Sequence, residues 1–277
     1  MVCQNKICVL DFETDSLDNN FNQPVSIAAV MIDGRSLKIC DNGIFYSLIS
    51  RIPDSEVEKY GLSKLDPKSM SINGISESDL ESAPPLKLVW TNFINWVKYF
   101  NPKPSKWDGP ILSGHNHKYD RKIIERIMYG THYGQKISNK KSIQYSRFSK
   151  MTTEEQKEYF TQTATLKEPW KLGPQSEFFH PGLYLDSQDY SHILFENTRN
   201  YKSISLSNVK SLLGFKDDAE IDEHHALVDT MWSAEIIVRY ISLMRQVLKD
   251  VDFETQNKTH LDVHQQLKNI LQNEKED

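Results

Sequence analysis

The chain has 277 residues, 38% of them hydrophobic and 26% charged, with a formal charge of −5. That length suffices for one large α/β domain or a domain carrying a sizeable insertion. The net charge does not point to a nucleic-acid binder, nor does it exclude one, because acids that hold cations carry local charge which those cations offset. Three cysteines, Cys3, Cys8 and Cys40, lack C-x-x-C spacing and exclude a disulfide framework or a zinc site. No apolar run approaches the ~20 residues needed to span a bilayer, and the start of the chain lacks a signal peptide's apolar stretch. The expectation is a soluble, intracellular, cytoplasmic protein with no membrane partner.

In chain order, Lys6–Phe12 is a nearly continuous apolar run ending in carboxylates, which predicts a strand buried on both faces. Pro24–Asp33 predicts a second strand, Asp33-Gly34 signals a hairpin, and about Leu37 to Ile49 returns as a third. Pro84-Pro85 opens a helix whose apolar residues Leu88, Val89, Phe93, Trp96 and Val97 recur at helical spacing. Pro110–Gly114 reads as a short strand, with a helix from about Tyr119 to Tyr129. Leu183–Asp186 is another short strand, and helical patterns follow at 203–213 and 225–246. Strands first and βα units afterwards predict an α/β fold, a mixed sheet with helices on both faces.

About fifty residues, 131–180, are surplus to that plan. Within them, 131–150 carries Lys136, Lys140, Lys141, Arg147 and Lys150 with no acid. The expected domain is therefore 1–246 with a polar insertion at about 131–180, followed by a polar helix or tail at 247–277.

Three pieces carry chemistry. Asp11 and Glu13 stand two apart on a strand, so their carboxylates share one side of the sheet. They repel unless a positive charge lies between them, and oxygen donors favour Mg²⁺ or Mn²⁺; the plain alternative is a strand end with two solvated acids. Asp120 falls in the first turn of the helix after Ser113–Tyr119, where Asn116 is a candidate cap and Asp120 also suits the helix dipole. In Asp222–Thr230, His224 and Asp229 are five residues apart, which on a helix leaves them about 140° from one another. They converge only if His224 lies on the loop before the helix and Asp229 inside it.

Taken in order, Asp11-x-Glu13, Asn116-x-x-x-Asp120 and His224-x-x-x-x-Asp229 resemble the DEDDh family of 3′–5′ exonucleases, relatives of the bacterial proofreading subunit and RNase T. Val9–Thr14 is similar to that family's first motif, Asn73–Pro84 to the stretch before its first helix, and Ser203–Gly214 to the helix before its third motif. The resemblance implies an RNase H-like α/β sheet, two bound divalent cations (Mg²⁺ or Mn²⁺), Asp11, Glu13, Asp120 and Asp229 as metal-binding acids, and His224 as general base. It implies a nucleic-acid 3′ end as partner and a 5′-mononucleotide product, and the expected substrate is single-stranded DNA. The site says little of the 2′-hydroxyl, so an exoribonuclease of the RNase T or oligoribonuclease kind stands beside this, as does a non-catalytic binding module that keeps the fold.

Phe12, Thr14 and Asn116 are candidate substrate contacts next to the acids. Lys136, Lys140, Lys141 and Arg147, with Tyr133, Tyr145 and Phe148, mix cations and rings suited to a strand's backbone and bases; the plain alternative is a solvated surface loop, and the insertion is also a candidate surface for protein partners. Tyr119 stands where the family more often has Phe. Asp15 stands where a small residue is common, and its charge bears on local substrate contacts. His225 rivals His224, but the offset to Asp229 favours His224. Asp186 reads as a helix cap, with a supporting role behind the acids as the alternative. His260 and His264 read as an exposed helix face without a metal.

Overall fold

A computed structural model describes residues 5–17, 21–101, 106–129, 178–180, 182–198, 202–214 and 224–250. The insertion up to residue 177, with its basic and aromatic candidates, lies outside the described residues, as does the segment beyond 250 with His260 and His264. Two units divide the chain, Met1–Ile237 and Val238–Asp277.

Strand β1 (Ile7–Thr14) is at the centre of a five-stranded sheet. It pairs antiparallel with β2 (Pro24–Ile32), which pairs antiparallel with the edge strand β3 (Ile39–Leu48). On its other side it pairs parallel with β4 (Ile111–Gly114), and β4 with β5 (Tyr184–Asp186). Every residue of β2 is buried, as its unbroken apolar run requires of a strand covered on both faces.

The hairpin between β2 and β3 forms, but not as a tight turn at Asp33-Gly34. Asp33 N–H donates to the Lys38 carbonyl and Leu37 N–H to that of Asp33, both at 2.8 Å. The Asp33 side chain accepts from the amides of Arg35 and Ser36, so the aspartate organises a longer loop from its first position.

Between β3 and β4 the described residues form the α-helices α1 (Val57–Tyr60), α2 (Pro67–Asn73), α3 (Glu77–Ser82) and α4 (Leu86–Phe100). Asp66 caps α2 by accepting from Lys68 N–H, and Ser76 with Asp79 forms a capping box on α3. In α4 the positions 86, 89, 90, 93, 94, 97 and 100 are buried, the stripe expected of a 3.6-residue period. They meet Cys8, Leu10, Phe12, Ile27, Ala29 and Met31 on one face of the sheet, together with Ile123, Ile124, Ile127 and Met128 of α5 (His117–Tyr129).

Because side chains alternate, Val9, Asp11 and Glu13 emerge on the opposite face. The cross-strand partners there are small: Asp11 pairs with Ala28 and Ala28 with Tyr46, while Glu13 pairs with Ser26 and Ser26 with Leu48. After β5 come α6 (Ser187–Phe195), α7 (Leu206–Leu212) and α8 (Ala226–Asp250). The first turn of α8 reaches this face at Asp229. The architecture is a mixed sheet with helices on both faces, as the sequence predicts. Among the described residues no helix is long and apolar enough to cross a membrane.

Candidate metal centre

Asp11 and Glu13 leave the end of β1 on the same side, and Asp229 comes to them from α8. One carboxylate oxygen from each lies within 4.8 Å of the others, and all three side chains are half-buried. Opposite ligands of a divalent cation with 2.0–2.6 Å bonds stand about 4–5 Å apart, so the donors fit such an ion in both number and spacing. Without a cation the cluster is under stress. Burial, then the charge of Asp229, pushes Asp11 up to about 8. Burial, then Asp11 and Asp229, pushes Glu13 up to about 9. Acids held this far above their ordinary range mark a place where positive charge would be strongly stabilised.

Asp120 is close by but differently held. It is 3% exposed, and its Oδ1 accepts from Phe12 N–H at 3.1 Å. The pairing of β4 with β1 ends at Ser113 and Val9, so Asp120 satisfies a buried strand amide that β4 no longer reaches. Burial first, then Asp11, raises its carboxyl well above the usual range. Gly114 makes this approach feasible: a Cβ there would stand 2.9 Å from the Leu10 carbonyl oxygen. Three of the four acids thus share one small space, and Asp120 adjoins them through the backbone between Asp11 and Glu13.

His224 sits in the turn before α8, exposed, with a left-handed φ of 69°. His225 is engaged elsewhere. Its carbonyl accepts the amide of Asp229 at 3.0 Å, and its Nδ1 accepts that of Leu227 at 3.3 Å. The second histidine is therefore the helix cap, and the first projects from the loop ahead of Asp229, as the five-residue spacing demands.

Several expectations are corrected. The Phe12 ring is buried in the core on the other face, so only its backbone adjoins the acids. Thr14 is buried: its hydroxyl donates to the Ser16 carbonyl at 3.0 Å and takes a bond from the Tyr119 hydroxyl at 2.8 Å. Asn22 Nδ2 donates to that same Tyr119 oxygen. The hydroxyl that distinguishes Tyr119 from Phe thus ties α5 to the end of β1. Asp15 is fully buried and points inward, accepting from Gln23 N–H at 2.7 Å and Arg51 Nε at 3.2 Å. Burial raises it to about 6 against those bonds, and its charge is met by Arg51. Asn116 is exposed, at φ 63°, on the turn into α5.

One junction was read only in part, without its partners. Asp186 caps α6 through Gln188 N–H, and also accepts from Asn116 N–H at 3.0 Å and His117 Nδ1–H at 2.8 Å. Burial opposes ionisation, but the bonds from His117, Gln188 and Asn116 hold it below the usual carboxylate range. The cap reading holds, and the same carboxylate also fixes the turn that leads to Asp120.

The sequence matches the RNase T family model, described as exonuclease, over residues 8–184, well over half of the chain. No curated protein sequence matches it significantly. Among solved structures it is similar to cell-death related nuclease 4, at 15% identity and TM-score 0.54, over 87% of this chain and 65% of that one. It is similar to the nuclease domain of 3′hExo, a DEDDh family member bound to rAMP, at 17% identity and TM-score 0.52, over 86% of this chain and 92% of that one. It is also similar to exonuclease I of E. coli in complex with a dT13 oligonucleotide, at 13% identity and TM-score 0.53, over 89% of this chain and 43% of that one. The chain thus spans under two thirds of the first of these and under half of the last. A family model covering most of the chain, on an RNase H-like sheet, shows that the protein belongs to the RNase T-type exonuclease family and has the fold of the DEDDh 3′–5′ exonucleases.

Proposed function

We propose that the enzyme removes nucleotides one at a time from the 3′ end of single-stranded DNA and releases 5′-mononucleotides. The observation that carries this is the set of Asp11, Glu13 and Asp229 oxygens within 4.8 Å, with the buried Asp120 beside them. These four carboxylates would hold two divalent cations, Mg²⁺ or Mn²⁺, which when bound neutralise charge on the scissile phosphate and lower the pKa of water. Asp120, fixed by the Phe12 amide, keeps the ends of β1 and α5 in register, so the donors are set before substrate arrives. His224, exposed on its turn, takes the proton from the attacking water. That role needs a neutral imidazole with a free ring nitrogen. Asn116, exposed on the turn into α5, is a polar side chain free to meet the nucleotide.

An RNA 3′ end is the second reading. It is supported by matched structures of a 3′-exonuclease with histone mRNA stem-loop and of 3′hExo with rAMP. The test is parallel digestion of a single-stranded DNA and an RNA of the same sequence, with the released nucleotide identified by chromatography. Faster release of deoxynucleoside 5′-monophosphates supports the first reading, faster release of ribonucleotides the second, and 3′-monophosphate products would sink both.

A further inference from the structure

One aromatic side chain beside the carboxylates has no part in the chemistry above. Tyr46 stands on the edge strand β3, in the same cross-strand row as Asp11, with Ala28 between them. Residues directly opposite in a ladder share a face, so Tyr46 rises on the carboxylate side, about 9–10 Å away at two strand spacings. The small Ala28 leaves the row open. Burial, then the charges of Asp79 and Glu13, pushes the phenol above its ordinary range.

The Tyr46 ring packs on the imidazole of His225, with centroids 4.8 Å apart and planes inclined at 32°. That imidazole is the α8 cap, with Nδ1 taken by the Leu227 amide. A ring held at one nitrogen and on one face has little rotation left. Its residue also carries the carbonyl that receives the Asp229 amide, and it is bonded in the chain to His224. The stack is thus one link from the candidate base and one from a candidate metal ligand. Tyr46 is 39% exposed, so its burial adds little to the core, and among the described residues its ring contact is with His225.

We propose that Tyr46 is a positioning residue: by stacking on His225 it fixes the turn that presents His224 to the carboxylates. The inference rests on His224 being the base. The aromatic face is what acts, so Tyr46→Phe serves as well as Tyr46. His225→Asn keeps a capping side chain but removes the ring, so it reproduces the loss.

The experiment is single-turnover cleavage of a 5′-labelled oligonucleotide by the full chain carrying Tyr46→Ala, Tyr46→Phe, His225→Asn, His224→Ala and the double variant Tyr46→Ala/His224→Ala, with melting of each followed in parallel. A lost ring contact predicts a roughly 3- to 10-fold drop in the chemical rate for Tyr46→Ala. The apparent affinity for substrate stays within about twofold. Tyr46→Phe restores the rate, His225→Asn matches Tyr46→Ala, and in the His224→Ala background Tyr46→Ala adds no further loss. Weaker substrate binding with an unchanged rate would overturn the inference and make Tyr46 a substrate contact, as would losses that multiply in the double variant. An impaired His224→Ala beside an unimpaired Tyr46→Ala overturns this inference alone, whereas a fully active His224→Ala overturns the base assignment and the inference with it.

Discussion

Replacing Asp11 by Asn should stabilise the metal-free protein while destroying its ability to be stabilised by cations. At 4.8 Å and an effective dielectric constant near 20, each ionised pair in the Asp11, Glu13, Asp229 cluster repels by about 3 kcal/mol. Water reaches these half-buried groups, so the relief from neutralising Asp11 is on the order of 1–3 kcal/mol, and the melting temperature should rise by roughly 3–10 °C in a chain of this size. The sign follows from the shift: Asp11 rises from 3.8 in the unfolded chain to about 8 in the fold. Below pH 4 both states hold the proton and the site contributes nothing. Between pH 4 and 8 the folded state holds the Asp11 proton more often than the unfolded one, so the Asp11 contribution to wild-type stability falls as pH rises, levelling off above pH 8. Calorimetry in EDTA should therefore show Asp11→Asn equal to wild type near pH 4 and more stable at pH 8. Millimolar Mg²⁺ should reverse the order by raising wild type alone. A variant less stable than wild type by the same margin at both pH values would refute the reasoning, since Asp11 would then be a structural hydrogen-bond acceptor and not one of several crowded charges.

Phe93 is fully buried among Phe45, Trp90 and Trp96, with centroids 5.4, 5.4 and 5.9 Å away. Phe93→Ala should cost about 3–5 kcal/mol in urea unfolding while leaving activity per folded molecule unchanged; lost activity at unchanged stability would contradict this placement in the core. Asp186→Ala should cost about 2–4 kcal/mol, combining a lost cap with unmet donors on Asn116 and His117, whereas Asp186→Asn keeps an acceptor and should cost under about half of that by the same measurement. Gly114→Ala should push β4 from β1, costing about 1–3 kcal/mol, and should slow cleavage because Asp120 moves with the turn; a neutral outcome in both readouts would count against that contact.

The sheet was legible because β1 and β2 are near-continuous apolar runs, a pattern only a doubly covered strand needs. The acids were legible for geometric reasons. Asp11 and Glu13 had to share a face, and His224 had to precede the helix holding Asp229, which the left-handed turn at His224 bears out. The helices α1, α2 and α3 were missed as elements because four to seven residues are too few to show a period. Their stop and start signals were present in Asp66-Pro67, Gly74 and Ser76-x-x-Asp79. What stayed illegible is tertiary. Asp186 meets Asn116 and His117 across about seventy residues. Asp15 turns inward to the Gln23 amide and to Arg51, which arrives from beyond β3. Phe12 lies within the acid motif but on the far side of the strand, a consequence of alternation that motif matching overlooks.

The most direct measurement is digestion of a 5′-labelled single-stranded oligonucleotide with Mg²⁺ or Mn²⁺, beside EDTA, Asp11→Asn and His224→Ala. The account expects a ladder shortening from the 3′ end, abolished by EDTA and by Asp11→Asn and strongly slowed in His224→Ala. Cleavage that persists in EDTA and in Asp11→Asn, or that begins from the 5′ end, would contradict it.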